Sequence, residues 1–355
     1  MKNNKNILHL SRTMEHGGAE KVVCQLCQDI KATHFIASCG GVHVEPLNEI
    51  GVKNFWIPDM DGKNPVDILK TIFILTKIIK THRIDVIHSH HRMAAFYARL
   101  LQFWFPKLKH IYTSHSIFTG KRWLLKFALS KAKVIACGDT VKQNLINEYK
   151  IKEVLVIYNS VTRSKVVDCD NKVINCEVNK GSYLIGNIGR LTEQKGIDVF
   201  IKAIAIVATK KCNVKGVIIG DGEYREELEK LVKELNMRDN IIFLGFQENI
   251  FSLIKQMEFI ISSTRREGFP LVPIETFSAG KTIIVSDIEN NLEIVESGKN
   301  GLSFKKDDIE DLAEKIEMMM ENKEYYEKNA KKSYDERFSY EKFVSDYEKV
   351  YGVII

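Results

Sequence analysis

Two glutamates, Glu267 and Glu275, lie eight residues apart on either side of a Gly-Phe-Pro turn. The apolar run 259–261 predicts a buried parallel strand, and the polar residues after it predict an exit loop that contains Glu267. Pro273 suits the first turn of the next helix, where the helix dipole favours an ionised carboxylate at Glu275. Ligands of open α/β sheets bind at the carboxyl ends of strands, so both carboxylates could accept hydrogen bonds from a vicinal diol such as a ribose. By themselves, the two residues are more typical of a capping glutamate and a solvated one.

Two cations, Arg190 and Lys195, begin the first strand-to-helix loop of the second half of the chain. Positive charge in such a loop can neutralise a leaving diphosphate, although either residue alone is more often a surface charge. Glu267 and Glu275 are expected on a neighbouring strand end. The combination of two carboxylates and two cations therefore favours a functional site.

Gly17 and Gly18 follow the first predicted strand and precede a helix that starts near Ala19. Their backbone amides can approach an anion in front of the positive end of that helix, although a Gly-Gly pair is usually only a tight turn. The segment lacks the G-x-G-x-x-G pattern, and no clear acidic residue ends the second strand. Both absences argue against a dinucleotide-dependent dehydrogenase.

Several short motifs follow one another in an order that is more specific than any one of them. They are G-G-A-E at 17–20, G-R-L-T-E-Q-K-G at 189–196, G-D-G at 220–222, L-G-F at 244–246, E-G-F-P-L-V-P-I-E at 267–275, F-S-A-G at 277–280 and S-G-K-N-G-L at 297–302. With these motifs the chain resembles, over nearly its whole length, the retaining glycosyltransferases of family 4, also called glycosyl transferases group 1. Two departures are Y-N-S-V at 158–161, where relatives carry Asn-Gly, and Asn290-Asn291, where many carry glycines.

The resemblance implies the GT-B fold, an α/β architecture of two Rossmann-like doubly wound domains that face each other across a cleft. It places an acceptor-binding domain at 1–160, a linker at 161–180, a nucleotide-sugar-binding domain at 181–335 and a helix that crosses back to the first domain at 336–355. The residues independently predict alternating strands and helices, which favours parallel sheets. Predicted strands are 7–10, 34–39, 85–88, 110–114, 133–137, 154–158, 183–188, 215–219, 241–244, 259–262 and 282–286; predicted helices are 20–30, 66–81, 94–103, 140–149, 196–210, 224–235, 309–322 and 340–351.

The resemblance also implies roles for the donor-site residues. Glu275 would hold the ribose hydroxyls of the nucleotide, and Glu267 would hold a hydroxyl of the donor sugar. Arg190 and Lys195 would bind the diphosphate. Backbone amides of the first glycine turn and of the loop after Glu267 would help to hold phosphates and sugar, at Gly17, Gly18, Gly268, Phe269, Pro270 and Leu271.

His115, in T-S-H-S at the end of a predicted strand, matches the family's active-site histidine near the donor sugar. We rank it ahead of His88 and His91 of the cluster I-H-S-H-H, which we expect to line the cleft or contact the acceptor. A metal at this cluster is less expected, because its last two histidines, His90 and His91, are adjacent and no carboxylate is close in the sequence.

The expected reaction is sugar transfer with retention of anomeric configuration, in which the departing diphosphate itself helps to remove the acceptor proton. The predicted catalytic residues are His115, Glu267, Arg190 and Lys195, and their task is electrostatic. No cofactor and no metal are expected, because fixed Arg, Lys and backbone amides would supply the positive charge. In agreement with this, we find no metal-binding Asp-x-Asp element; Asp59 and Asp61 come nearest, but they lie in a loop without family correspondence and we interpret them as solvated. UDP is expected as the carrier rather than GDP, as in most relatives.

Composition sets limits that agree with this interpretation. At 355 residues the chain is long enough for two domains. Its seven cysteines lack paired zinc spacing, and the single C-x2-C at Cys24 and Cys27 falls in a predicted helix, so free thiols in a reducing cytoplasm are expected. No signal peptide is apparent, and the longest apolar region, 68–79, is too short to span a bilayer.

Charge is distributed unevenly between the two halves. Residues 1–180 contain 27 Lys and Arg against 15 Asp and Glu, a formal charge of +12, whereas residues 181–355 contain 25 against 31, a formal charge of −6. In the basic half, segments 103–109 and 121–126 interleave aromatic residues with cations, which is typical both of anionic membrane surfaces and of ordinary amphipathic helix ends. Nucleic acid is a weaker candidate, since no binding motif for it is present.

The first hypothesis is a bacterial glycosyltransferase that acts in the synthesis of a cell-surface polysaccharide, such as lipopolysaccharide or capsule, or of a glycolipid. It would use a glycan or lipid-linked acceptor from the cytoplasm, with peripheral contact to the inner face of the plasma membrane. The second hypothesis is a non-catalytic nucleotide-sugar-binding partner in a polysaccharide assembly complex. A dehydrogenase, the third, would have to bind NAD.

Overall fold

A computed structural model describes residues 5–62, 64–120, 122–161, 181–211 and 213–353. Its described residues divide into two compact units, one from Met1–Asn159 with Tyr340–Ile355 and the other from Ser160–Ser339. The predicted linker, 161–180, lies outside the described residues except for Val161. No helix within the described ranges has both the length and the apolar character that a membrane span needs.

Within its described residues, the first unit is built on a sheet of seven strands. They are β1 (Asn6–Leu10), β2 (Thr33–Ser38), β3 (Lys53–Trp56), β4 (Val86–Ser89), β5 (Lys109–Ser114), β6 (Ala132–Ala136) and β7 (Val154–Val156). All pair in parallel in the order β3-β2-β1-β4-β5-β6-β7. The central strands are buried along almost their whole length, as expected for a parallel sheet covered on both faces, although they include histidine, serine and threonine residues.

In the described ranges of this unit, six helices connect the strands: α1 (Gly18–Asp29), α2 (Val44–Glu49), α3 (Pro65–Thr81), α4 (Arg92–Trp104), α5 (Arg122–Leu129) and α6 (Asp139–Tyr149). Local sequence explains where they start. The side chain of Asn64 accepts a hydrogen bond from the amide of Val66 at 3.0 Å, and Pro65 fills the first turn of α3.

The second unit repeats the alternation with a six-stranded sheet. Its strands are β8 (Tyr183–Ile188), β9 (Val214–Ile219), β10 (Ile241–Gly245), β11 (Phe259–Ser262), β12 (Ile283–Ser286) and β13 (Leu302–Phe304), in the parallel order β10-β9-β8-β11-β12-β13. Its helices are α7 (Ile197–Lys210), α8 (Arg225–Glu234), α9 (Ile250–Gln256), α10 (Val272–Ser278), α11 (Glu289–Leu292) and α12 (Ile309–Ser333). The apolar residues of α7 and α12 pack with its strands into one core.

The last helix, α13 (Tyr340–Tyr351), belongs to the first unit. Its buried aromatic residues Phe343, Tyr347 and Tyr351 pack with apolar residues of α1, β1, β4 and β5. The predicted α/β fold class is confirmed, but the prediction missed β3, β13 and the short helices α2, α5, α9 and α11. It also ended the helix from Ile309 at Asn322, where the backbone leaves helical geometry (φ −124°, ψ 17°) before α12 continues to Ser333.

Candidate functional site

The second unit brings Lys195 and Glu267 together as an ion pair. Lys195 ends a single helical turn, Glu193–Lys195, after β8, and Glu267 lies in the loop after β11. These strands are neighbours in the sheet, so their carboxyl ends meet at one edge. The Lys195 side chain is 24% exposed and that of Glu267 is 16% exposed. The sequence assigned the two residues to different parts of a donor, and the structure places them in direct contact.

Backbone contacts lock these two loops against each other. Gly196 has φ +60°, and a Cβ built on it would lie 2.1 Å from the carbonyl oxygen of Ser263, so only glycine fits this approach. The Arg265 amide donates to the Gln194 carbonyl oxygen at 2.8 Å, and the Ser263 hydroxyl donates to the Lys195 carbonyl oxygen at 3.2 Å. Lys195 and Glu267 therefore meet on two loops that are fixed by their main chains.

Arg265, which sequence reasoning did not single out, reinforces this edge. Its guanidinium donates to Asp198 at 2.8 Å and to Asp307 at 2.7 Å, and it also donates to the Glu193 carbonyl oxygen. These carboxylates hold the pKa of Arg265 above its ordinary range. The next residue, Arg266, is also an arginine but is exposed. Nothing in the sequence indicates that Arg265 rather than Arg266 makes these structural contacts.

Glu275 lies in the first turn of α10, as predicted, and is 8% exposed. The preceding segment places Phe269 and Pro270 in buried positions, and Gly268 and Leu271 in half-buried ones. The Gly268 carbonyl oxygen accepts a hydrogen bond from the Asn290 side chain. In the neighbouring position, Asn291 donates to the Ser286 carbonyl oxygen at 3.0 Å. Of the asparagine pair that departs from the family pattern, Asn290 thus anchors the loop between the two glutamates, which the sequence did not indicate.

Arg190 is exposed and follows β8 through Gly189. A Cβ on Gly220 would lie 1.9 Å from the Gly189 carbonyl oxygen, and one on Gly222 would lie 2.4 Å from that of Leu191. The G-R and G-D-G motifs therefore pack main chain to main chain, and their glycines are required by that close approach.

In the first unit, Gly17 caps α1 and Gly18 is its first residue. The carboxylate of Glu20 folds back over this helix start, where the sequence predicted an anion site. It lies so close that a Cβ built on Gly17 would be 2.2 Å from Oε2 of Glu20. Thr13 donates to Glu20 at 3.2 Å, and burial raises the pKa of Glu20. Glu20 is the third residue of α1, a position from which a glutamate side chain often reaches back to the helix cap. The G-G-A-E motif could therefore have predicted this carboxylate at the helix start.

His115 follows β5, and its Nε2 lies 3.2 Å from Nδ1 of His90. Burial lowers the pKa of His115 to about 4, so its imidazole is neutral at pH 7. The Nδ1 atom of His115 is buried and has no hydrogen-bond partner among the described residues. This nitrogen is therefore a candidate to contact a ligand.

The other histidines of the I-H-S-H-H cluster differ from the expectation. His88 is fully buried, 2.6 Å from the Tyr351 hydroxyl and 2.8 Å from that of Thr113, so the prediction that it lines a cleft or contacts an acceptor is wrong. Nε2 of His91 lies 3.8 Å from Asp61, so a carboxylate does face this cluster.

The two aspartates interpreted as solvated are paired with Arg12. The Arg12 guanidinium lies 2.8 Å from Asp59 and 3.2 Å from Asp61. Hydrogen bonding to Arg12 lowers the pKa of Asp59. These carboxylates therefore belong to a surface ion-pair network that also approaches His91.

Comparison with known proteins identifies the class to which this architecture belongs. The two units, each a parallel sheet with interleaved helices, match the GT-B fold of glycosyltransferases. Anabaena HepE, solved in complex with UDP, is 19% identical to this chain, with a TM-score of 0.81 over 98% of this chain and all of that one. Residues 170–336 match the model of glycosyl transferases group 1, and residues 16–165 match that of Glycosyltransferase Family 4.

Two curated relatives agree with these matches. An uncharacterised glycosyltransferase of Methanocaldococcus jannaschii, MJ1178, is 29% identical over 286 residues, or 77% of each chain. The O-antigen biosynthesis glycosyltransferase WbnH of Escherichia coli is 27% identical over 359 residues, covering 98% of this chain and 99% of its own. The chain belongs to the group 1 glycosyltransferases, and the family predicted from its motifs is confirmed.

Proposed function

We propose that this glycosyltransferase moves a sugar from a UDP-sugar to a hydroxyl of a glycan or lipid-linked acceptor, with retention of anomeric configuration and without a metal ion. The observation that carries the proposal is the fixed Lys195–Glu267 pair, whose loop leads directly into the first turn of α10, where Glu275 lies. This edge offers a cation for a diphosphate and carboxylates for sugar and ribose hydroxyls. The UDP bound by HepE and the O-antigen role of WbnH support the donor and the pathway class.

The proposed chemistry needs no nucleophile from the protein. As the bond between the anomeric carbon and the diphosphate breaks, negative charge grows on the phosphate oxygens, and Arg190 and Lys195 stabilise it. The acceptor hydroxyl attacks from the face that the diphosphate leaves, and a diphosphate oxygen takes its proton. Glu267 binds a sugar hydroxyl and keeps Lys195 in place until the donor arrives. Preorganised charge of this kind lowers a barrier because nothing has to reorient during the reaction.

The experiment that tests the proposal is a transfer assay with a panel of UDP-sugars and GDP-sugars and acceptors from a bacterial lipid extract. Release of nucleotide and the anomeric configuration of the product, read by NMR, are measured together. We expect a UDP-sugar to be used with retention. Arg190→Ala should lower the rate by about 10²–10³ because it removes one charge donor from the diphosphate.

Arg238→Ala is the matched control, because Arg238 is an exposed arginine of the same unit and belongs to none of the predicted motifs. Its rate should equal that of the wild type. An inverted product, or full activity in Arg190→Ala, would contradict the proposal. Turnover with any acceptor would eliminate the alternative of a non-catalytic nucleotide-sugar-binding partner.

We also propose that the first unit contacts an anionic membrane on the cytoplasmic side. Three aromatic side chains on α4 and α5 are largely exposed: Phe103 and Trp104 at 61% each and Trp123 at 75%. Lys107 and Lys126 lie close to them in sequence, within the two aromatic and cationic segments. Exposed aromatic rings beside lysines are the composition that binds headgroups of anionic lipids.

A further inference from the structure

Four buried or half-buried histidines form a diagonal row across the sheet of the first unit. They are His34 on β2, His9 on β1, His90 after β4 and His115 after β5, and these four strands are consecutive neighbours in the sheet. His34 lies opposite Ile7, two residues before His9. The next step repeats this offset, since His9 lies opposite His88, two residues before His90. In the last step Ser89 lies opposite Tyr112. The register therefore sets His90 level with Thr113, which is again two residues before His115. The row therefore climbs towards the carboxyl edge.

Each pair of neighbours in the row shares one hydrogen bond between ring nitrogens. The distances are 3.0 Å from His34 Nδ1 to His9 Nε2, 3.1 Å from His9 Nδ1 to His90 Nε2, and 3.2 Å from His90 Nδ1 to His115 Nε2. Consecutive rings are nearly parallel, with interplanar angles of 25°, 24° and 22°. The side chains leave the same face of the sheet, because the register offsets are even.

The first residue of the row fixes the direction of all three bonds. Nε2 of His34 lies 3.1 Å from the carbonyl oxygen of Ile30, at the end of α1. A carbonyl oxygen only accepts, so Nε2 of His34 has to bear the proton and Nδ1 of His34 has to be an acceptor. His9 then donates from Nε2 to His34, His90 donates from Nε2 to His9, and His115 donates from Nε2 to His90.

The opposite direction would place a lone pair of His34 against the lone pairs of the Ile30 carbonyl at that distance. The negative end of the α1 dipole also favours an N–H at this position. All four rings are neutral in this arrangement. Burial, followed by the neighbouring histidines, lowers the pKa of His9 and of His90, and burial lowers that of His34 to about 4.

We propose that His34, His9 and His90 are positioning residues that hold His115 as the Nε2–H tautomer, so that its Nδ1 accepts a hydrogen bond from a sugar hydroxyl of the substrate. The role of the hydroxyl rests on the proposed function, whereas the tautomer rests on the row alone. The buried Nδ1 of His115, which has no hydrogen-bond partner within the part of the chain that the structure describes, is the free end of the row. Hydrogen bonds in such a chain polarise one another, which strengthens the acceptor at its end.

A metal ion is the rival explanation for these residues. His9 with Cys27 and His34, and His9 with His88 and His90, could each supply three ligand atoms within 4.8 Å of one another. However, both ring nitrogens of His9, His34, His88 and His90 already have a hydrogen-bond partner. A bound metal would have to break the row, so the two explanations exclude each other.

The test is a two-bond ¹H–¹⁵N correlation spectrum of the full chain labelled with [¹⁵N]histidine at neutral pH, with metal content measured on the same sample. We expect Nε2–H tautomers for all four rings and no stoichiometric metal. His34→Leu removes the end that sets the direction, so His115 should show a mixture of tautomers. The kcat of the His34→Leu enzyme should fall about tenfold, as is typical when a residue that orients a contacting group is lost. The donor KM should change little.

Two variants complete the design. His110→Leu is the matched control, because His110 is also buried in this sheet but bonds to Ser89 outside the row, so it should leave the His115 tautomer unchanged. His34→Gln, which keeps a donor and an acceptor, should restore the wild-type spectrum and rate. The wild-type spectrum decides the tautomer even if His34→Leu does not fold.

Three results would contradict the proposed role of the row. They are an Nδ1–H signal at His115, an unchanged His115 tautomer in folded His34→Leu, and one bound metal ion per chain. An active enzyme with the wrong tautomer would refute the row and leave the proposed function standing. Correct tautomers in a protein without any transfer activity would refute the proposed function, and with it the contact to a sugar.

Discussion

The two parallel sheets have different polar chemistry at their carboxyl edges. All ten histidines of the chain precede residue 116, and the second unit contains none. In the first unit, neutral imidazoles are joined by hydrogen bonds of one direction. In the second, ionised side chains meet, as Lys195 does with Glu267 and Arg265 with Asp198. One architecture thus presents two kinds of site.

The contrast shows how each kind of site can be kept ordered without a ligand. Charged groups at the second edge neutralise one another, and in the proposed function a diphosphate replaces Glu267 as the partner of Lys195. Neutral rings at the first edge cannot attract an anion, but they can fix which nitrogen donates and which accepts. The second edge therefore suits a phosphate-bearing donor, and the first suits hydroxyl groups.

Breaking the Lys195–Glu267 pair should have the largest effect. Lys195→Met removes a cation from the proposed diphosphate site and should lower the transfer rate by about 10²–10³. Glu267→Gln should also lower it, and the double variant should lose less than the product of both effects, because each single change removes the same contact. Kinetics of the four proteins measure this coupling.

Lys323 and Glu258 form the control pair for this cycle. They also lie in the second unit, with side-chain exposures of 24% and 33%, close to those of Lys195 and Glu267. Lys323→Met and Glu258→Gln should leave the transfer rate unchanged. Equal losses from both pairs would mean that the contact matters for folding rather than for the donor.

Acid should destabilise the first unit more than the second. Burial lowers the pKa of His34 to about 4 and that of His110 to about 3, whereas unfolded histidines titrate near 6.5. The unfolded chain therefore binds more protons below pH 6.5, and the stability that is complete above this pH is lost as the pH falls towards 4. At pH 5 each of these two residues should cost about 2 kcal/mol of unfolding free energy.

Tryptophan fluorescence separates the two units in this experiment, because all three tryptophans, Trp56, Trp104 and Trp123, belong to the first. Urea unfolding at pH 8 and pH 5 should show a lower midpoint at pH 5 by this probe. Hydrogen exchange of peptides from residues 181–339 should change less. An identical fluorescence midpoint at both values would contradict the buried neutral histidines.

A smaller effect is expected from Asn290→Gly, which introduces the glycine of many relatives. The variant removes the hydrogen bond to the Gly268 carbonyl oxygen and should loosen the loop between Glu267 and Glu275. A typical net hydrogen bond contributes about 1 kcal/mol, so the donor KM should rise severalfold with little change in kcat. Asn329→Gly, on α12, is a control for an asparagine whose side chain donates to the Tyr325 carbonyl oxygen of the same helix rather than to the loop between the glutamates. A donor KM equal to that of the wild type would show that Asn290 has no part in donor binding.

The smallest effect concerns the membrane. Flotation with vesicles that contain anionic lipid should recover the protein, and the double change Trp104→Ser and Trp123→Ser should lower the bound fraction. Exposed Trp56, away from α4 and α5, offers Trp56→Ser as the control. Equal recovery on neutral and anionic vesicles would contradict the proposed surface.

The sequence predicted the alternation of strands and helices because buried parallel strands such as 259–262 are continuous apolar runs. It missed β3 because K-N-F-W is short and half exposed, without an apolar run. The Lys195–Glu267 contact could not be predicted, since it depends on β8 and β11 being neighbours. The histidine row needs the register of four strands, and His9 and His34 individually have the pattern of ordinary core residues.

The most direct measurement is calorimetric titration of the protein with UDP and with GDP, for the wild type and for Glu275→Gln, which keeps the shape of the buried side chain and removes its charge. We expect UDP to bind the wild type more tightly than GDP does, and Glu275→Gln to lose most of this binding. Binding that is unchanged in Glu275→Gln, or no binding of either nucleotide, would contradict the assignment of the second unit as the donor site.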